Sequence, residues 1–256
     1  MTFPDAILLF LAAVMAGALN SVAGGGTFFS FPALLFTGAP AIAANATSTV
    51  AVWPGSMASA FAYRSCTPRS ARVLVPLIVA SFAGGLLGAG LLLHTPQDTF
   101  LRIIPFLFLA ATLLFAIGKR MSKAIGSHGK QEARPSWTLV GGVSLVQFII
   151  SIYGGFFGGG MGILMLAFLT LLPLGDIHAT NAVKALLATA TNGVAIIAFV
   201  VAQIVLWPQA VLMLVGAVLG GYGGAHYAQK IKPSLVRGFV IAVGFSMSAY
   251  FLWRYH

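Results

Sequence analysis

The chain has 256 residues, of which 59% are hydrophobic and only 7% are charged. Soluble globular domains carry roughly a quarter charged residues, so this chain has too few charges to cover a water-exposed surface. The composition therefore predicts a polytopic integral membrane protein, an all-α helical bundle with lipid as its main solvent. At about 20 apolar residues per spanning helix, the length allows about 8–10 membrane segments and no sizeable soluble domain.

The charge balance is basic, with 14 Lys and Arg against 4 Asp and Glu. In a soluble protein this balance would suggest nucleic acid. Here the basic residues lie mostly in short connectors, which is typical of the cytoplasmic loops of membrane proteins, and no nucleic-acid partner is expected. Some of these cations could also attract an anionic substrate. The single cysteine, Cys66, excludes a disulfide framework within the chain and a cysteine-rich metal site, and we expect no metal or cofactor.

Hydropathy divides the chain into ten apolar segments. The first five are 5–22, 27–37, 46–63, 73–93 and 100–118, and the second five are 138–157, 161–173, 183–203, 208–228 and 235–253. A charged stretch with two glycines and a closing proline separates the two sets, which is typical of a linker. We therefore predict a first repeat of membrane segments over 1–118, a cytoplasmic linker over 119–137 and a second repeat over 138–256.

The two sets of segments are related in sequence. A shift of 136 positions places Gly24 on Gly160 and Asn45 on Asn181, and the correspondence extends without a gap over 24–89. One gapless offset of this length favours an internal duplication.

Basic residues then predict the orientation of each half. The connector after the third segment carries three arginines, whereas its counterpart at 203–208 carries no charge. The next connector reverses the pattern, because 94–99 has no Lys or Arg while its counterpart contains Lys230 and Lys232. Since Lys/Arg-rich loops stay cytoplasmic, the halves should be inverted, with five crossings each. Inverted repeats recur in secondary transporters, which bind substrate near the midplane where the repeats meet.

Glycine clusters interrupt the apolar sequence at matching places in the two halves. Each cluster precedes a run, 27–37 or 161–173, that is short for a perpendicular span. Broken helices in a membrane survive where their backbone lines a cavity, and their N-termini suit an anion. We therefore predict substrate contacts, with close helix packing as the alternative, for Gly24, Gly25, Gly26, Gly160 and Gly162.

Polar residues follow each short segment. Asn45 and Asn181 are predicted to cap the N-terminus of the next helix. Lys184 falls inside an apolar segment, where a lysine is costly and therefore predicts a functional site. Its alternative role is snorkelling to the interface. The further candidates for substrate binding are Asn45, Thr47, Ser48, Thr180, Asn181 and Lys184.

Asp176 and His178 precede Asn181 and are candidates for proton coupling, because a histidine titrates near neutral pH. A solvated loop is the alternative explanation for both. The sequence contains no nucleotide-binding, metalloprotease or redox-cysteine motif, and it has few carboxylates for acid–base catalysis. We therefore expect no enzyme, and transport that is driven by an ion such as the proton or by the membrane potential.

The motifs GGGTFFSFPALLFTG with ANATST, and FFGGGMGILMLAFL with ATNAVK, resemble the two halves of the sulfite exporter TauE/SafE family of bacterial membrane permeases. The resemblance implies a multi-pass secondary transporter of the inner membrane that exports sulfite or an organosulfonate by alternating access. Another small anion, uptake instead of export, and a non-transporting scaffold or assembly protein remain alternatives. A homo-oligomer is compatible with the sequence. The second half has Phe168 where the first keeps Pro32, so the two half-sites need not be equivalent.

Overall fold

The computed structural model describes residues 1–22, 25–68, 70–126, 135–174, 177–227 and 233–255. These ranges form ten α-helices and one short 3₁₀ turn, with no β-strand among them. The first half contains α1 (Phe3–Val22), α2 (Thr27–Phe36), α3 (Ala41–Ala62), α4 (Ala71–His94) and α5 (Gln97–Gly126). The second half contains α6 (Trp137–Phe156), α7 (Met161–Leu169), α8 (Ile177–Val201), α9 (Trp207–Tyr227) and α10 (Pro233–Tyr255).

Several of these helices have the length and composition of membrane spans. Within the described residues, five stretches qualify: Phe3–Asn20, Ala71–His94, Gln97–Ile117, Trp137–Phe156 and His178–Val201. Large apolar side chains also face outwards, as at Phe82 and Leu86 of α4 and Leu219 of α9. A lipid environment accommodates such a surface, whereas water would not. The predicted polytopic helical membrane protein is confirmed.

Two helices begin earlier than predicted. α3 starts at Ala41 and α8 at Ile177, and the first hydrogen bond of α3 runs from the Ala44 N–H to the Pro40 carbonyl at 2.7 Å. Proline fixes the entry of α3 because its φ is already restrained near the helical value. Asn45 and Asn181 therefore lie one turn inside their helices, and the prediction that they are N-caps is wrong.

The predicted linker over 119–137 starts as a continuation of α5, which extends to Gly126. Residues 127–134 lie outside the described residues, as do Gly24, Asp176, Lys230 and Lys232.

The helices of the two halves pack against each other in equivalent pairs. α1 packs along α9 and α6 along α4, while α3 crosses α8 and α5 packs on α10. Glycine makes the first two contacts close. A Cβ atom at Gly220 would collide with the carbonyl oxygen of Val14 on α1, and one at Gly84 would collide with that of Phe148 on α6. These two glycines therefore serve backbone packing between helices.

A cluster of buried phenylalanines occupies one side of the α3–α8 crossing. Phe31 packs on Phe108 and Phe157 with ring centroids 5.9 and 5.8 Å apart, and Phe28 packs edge-on against Phe108 at 5.6 Å. This phenylalanine cluster contacts the N-terminal part of α3 and the C-terminal part of α8. The C-terminal part of α3 and the N-terminal part of α8 lie on the other side of the crossing, where they line a cavity.

Candidate anion-binding site

A cavity of about 80 Å³ lies between the C-terminal part of α3 and the N-terminal part of α8. From α3 it is lined by Val52, Ser56 and Ser59, and from α8 by Lys184, Ala188 and Asn192. A space of this size exceeds the ~15 Å³ that one water needs, so a small polyatomic ion fits. We call it the Lys184 cavity.

Both glycine breaks reach the Lys184 cavity. Gly25, Gly158 and Gly160 line it and have φ angles of 113°, 79° and 75°. Side-chain-bearing residues rarely adopt such angles. The breaks bring the N-terminal residues of two helices, Thr27 of α2 and Met161 of α7, to the cavity wall. The partial positive charge of helix N-termini favours an anion between them.

Lys184 reaches this space from the second turn of α8. A Cβ atom at Gly162 would lie 3.7 Å from Lys184 Cδ, so the lysine stem runs along the start of α7. Within the described part of the chain, the Lys184 ammonium forms no hydrogen bond and no ion pair. A half-buried cation that faces a cavity without a protein counter-charge is suited to bind an anion there.

The predicted site residues Asn45 and Thr47 hold helices together instead of lining the cavity. Asn45 is 1% exposed and its Nδ2 donates to the carbonyl of Phe156, the last residue of α6, at 3.0 Å. Thr47 Oγ1 accepts a 3.0 Å hydrogen bond from the N–H of Leu206, just before α9. Helix ends leave backbone groups unpaired, and these two side chains satisfy such groups across the halves.

Ser48 is fully buried and pairs with Ser30 of α2, with 2.6 Å between their hydroxyl oxygens. Gly26 is also buried, and a Cβ there would lie 2.6 Å from the carbonyl oxygen of Ala16, which indicates close packing on α1. Neither residue lines the Lys184 cavity.

The remaining candidates lie nearer the N-terminus of α8. Thr180 is buried and Asn181 half-buried, and neither lines the cavity. His178 is exposed and stacks on Tyr63 at 6.3 Å between ring centroids, which places the start of α8 beside the end of α3. Of the described candidates, the structure brings together Gly25, Gly160, Gly162 and Lys184.

Sequence reasoning missed five polar residues of the wall: Asn20, Thr27, Ser56, Ser59 and Asn192. One signal was available. Asn192 follows Lys184 by two helical turns, so the two side chains share a face of α8. The 136-residue shift also places Ser56 on Asn192, so equivalent positions of the two halves line one cavity.

An all-helical membrane bundle with two glycine breaks around a cationic cavity is typical of membrane transporters. The model of the sulfite exporter TauE/SafE family matches residues 9–251, and the chain belongs to this family.

Three relatives are probable membrane transporter proteins by name. The chain is 31% identical over 241 residues to ORF9 of Sinorhizobium sp, covering 94% of this chain and 89% of the relative. It is 29% identical over 243 residues to a protein of Haemophilus influenzae, covering 94% and 92%. It is 29% identical over 252 residues to YfcA of Escherichia coli strain K12, covering 97% and 90%. No solved structure matches the chain significantly.

Proposed function

We propose that this protein is a secondary transporter of the bacterial inner membrane that exports a small sulfur-containing oxyanion, either sulfite or an organosulfonate. The observation that carries the proposal is the Lys184 ammonium. It faces a small cavity at the meeting point of both glycine breaks and has no partner among the described residues. An uncompensated charge in a poorly solvated site is costly, and a bound anion would remove that cost.

The donors around Lys184 support an oxyanion with several oxygens. Asn192 and Ser56 offer an amide and a hydroxyl, and the first turns of α2 and α7 begin at the cavity wall. Sulfite and a sulfonate group each present three oxygens, which can accept hydrogen bonds from different directions. A single cation surrounded by neutral donors suits such a group better than it suits a cation or a neutral solute.

The proposed mechanism is alternating access between two inverted repeats, 1–118 and 138–256. The equivalent helix pairs across the halves support this arrangement. Lys184 and Ser48 occupy equivalent positions, yet Lys184 faces a cavity while Ser48 is buried against Ser30. An exchange of these two arrangements would close the cavity beside Lys184 and open one on the side of the phenylalanine cluster. Transporters with inverted repeats use this kind of exchange.

Connectors rich in Lys and Arg stay cytoplasmic, and the connector after α3 carries arginines. Because the Lys184 cavity adjoins the C-terminal part of α3, this supports a cytoplasmic location for the cavity. An exporter would load its substrate from this side. The family description as a sulfite exporter and the names of the relatives also support transport. We further propose a proton as the coupling ion. Its candidate carriers are His178, near the N-terminus of α8, and Asp176.

Flux measurements in proteoliposomes test this function. Vesicles containing the purified protein are loaded with labelled sulfite, methanesulfonate or sulfoacetate, and efflux is followed with and without a pH gradient. We expect efflux of at least one of these anions from wild-type vesicles and none from Lys184→Ala vesicles. The matched control is Arg254→Gln, which removes one positive charge at the exposed end of α10. Absence of flux for all anions in both directions would instead favour a scaffold.

A further inference from the structure

A second and larger cavity, of about 530 Å³, lies between α1, α3 and α9. Small residues form much of its wall, including Gly17, Ala58 and Ala217. It shares Gly55 and Ser59 with the Lys184 cavity, so the two spaces adjoin along the same stretch of α3.

The corresponding region, between α4, α6 and α8, contains a group of buried polar side chains. Gln147 Nε2 donates to Ser81 Oγ at 2.9 Å and to Ser151 Oγ at 3.0 Å, and Thr191 Oγ1 donates to Ser151 Oγ at 3.1 Å. These buried hydrogen bonds join α4, α6 and α8.

Around the larger cavity the corresponding positions lack these hydroxyl groups. The 136-residue shift places Gly55 on Thr191 and Ala217 on Ser81. The contact of Gly220 with Val14 corresponds to that of Gly84 with Phe148, and this correspondence places Gly17 at the position of Ser151. Glycine and alanine therefore leave space for the larger cavity, whereas the equivalent residues Thr191, Ser81 and Ser151 carry hydroxyl groups.

The wall of this cavity suits hydrocarbon. Among the described residues that line it none is charged, and the few polar groups include the hydroxyls of Ser59, Tyr63 and Tyr222. Transfer of an apolar group from water to such a surface lowers the free energy. The adjoining Lys184 cavity supplies the cation, so one molecule with a charged head and a short apolar tail could occupy both spaces.

We propose that the larger cavity, the tail cavity, binds the hydrocarbon substituent of an organosulfonate whose sulfonate group is held at Lys184. This inference rests on the proposed function and narrows its substrate class to alkanesulfonate-like anions. Sulfite would fill only the Lys184 cavity and would leave the apolar wall uncovered.

Binding of a homologous series tests the tail cavity. Affinities of methane-, ethane-, propane-, butane- and pentanesulfonate are measured by calorimetry on purified protein in nanodiscs, with empty nanodiscs as the blank. We expect affinity to rise roughly fourfold per added methylene group. Ala58→Leu and Ala62→Leu, which fill the tail cavity from two consecutive turns of α3, should flatten this rise while methanesulfonate still binds. Ala83→Leu, at an exposed alanine of α4, is the matched control and should keep the rise.

The outcomes separate this inference from the function on which it rests. If methanesulfonate binds and Lys184→Ala abolishes binding, but chain length has no effect, the tail cavity is wrong and the anion site stands. If the chain-length effect persists in both filled variants, the tails contact lipid or another surface, which also overturns the inference. If no sulfonate binds at all, both proposals fail.

Discussion

The indole Nε1 of Trp53 donates a 3.1 Å hydrogen bond to the backbone carbonyl of Thr189, and these two residues occupy equivalent positions of the two halves. In the proposed two-fold relationship of the halves, residues that are equivalent and also in contact lie close to the axis. The α3–α8 crossing therefore has the Lys184 cavity on one side and the phenylalanine cluster on the other. Gly193 also packs on the Trp53 ring, since a Cβ there would lie 3.3 Å from Trp53 Cζ2.

Replacing Lys184 is expected to weaken anion binding without unfolding the protein. A hydrogen bond to a charged group contributes about 1.5–3 kcal/mol, so Lys184→Ala should weaken binding by about 10- to 150-fold. Lys184→Arg should recover part of the affinity, because guanidinium keeps the charge but changes its reach and geometry. Titration calorimetry with methanesulfonate measures both effects, and thermal unfolding verifies the fold.

Lys184→Gln separates substrate binding from snorkelling. A lysine that reaches interfacial water contributes little to affinity, so the Gln variant would then bind the anion as the wild type does. That result would exclude Lys184 from the site. The neutral polar side chains of the cavity wall and the two helix N-termini would then remain as candidate donors.

Enlarging Gly160 should impair transport more than folding. Its φ of 75° costs a side-chain-bearing residue about 1–2 kcal/mol. A Cβ there would lie 3.4 Å from the carbonyl oxygen of Ala111 on α5, so a larger side chain would push the glycine break, which lines the Lys184 cavity, away from α5. We expect Gly160→Ala and Gly160→Val to lose flux progressively in the proteoliposome assay. Gly141 is the control, because it lies within α6 with no atom within 4 Å of a Cβ built there. Equal flux from Gly160→Val and Gly141→Val would assign Gly160 to structure alone.

Single-cysteine labelling can decide whether the halves are inverted. In a Cys66→Ser background, Ser65→Cys reports the connector after α3 and Ala202→Cys the connector after α8. Both side chains are exposed. We expect an impermeant maleimide to label position 202 from outside intact cells and position 65 only after the membrane is opened. Labelling of both positions from one side would show parallel halves and would contradict the proposed alternating access.

The sequence predicted helices and breaks well because these depend on local patterns. Hydropathy located all ten segments, and the two glycine clusters located the breaks at Gly25 and at Gly158 to Gly160. The start of α3 was missed because Asn45 was interpreted as an N-cap, whereas the helix begins directly after Pro40 and alanine at 41, 43 and 44 favours helix. The local sequence therefore predicted the helix α3 but not its first residue.

The direction of the polar side chains depended on contacts that no local pattern encodes. Asn45 was predicted to bind substrate, but its partner is a carbonyl 111 residues away, left unpaired by the end of α6. Ser48 and Lys184 are equivalent in sequence and differ in structure, because Lys184 faces a cavity whereas Ser48 is buried against Ser30. A two-fold sequence relationship cannot predict this difference, since it treats both sides alike.

Asn45 and Asn192 should respond differently to alanine substitution, because one holds two helices together and the other faces the cavity. Asn45→Ala removes the donor to the Phe156 carbonyl, and leaving that buried carbonyl unpaired costs about 1–3 kcal/mol. We therefore expect lower thermal stability in Asn45→Ala with nearly normal anion affinity in the protein that remains folded. Asn192→Ala removes a donor from the cavity wall, so it should weaken methanesulfonate binding about 2- to 10-fold at nearly unchanged stability. Thermal unfolding and calorimetry on both variants measure the two quantities independently. A loss of affinity in Asn45→Ala with normal stability would return Asn45 to the anion site and move the site towards the end of α6.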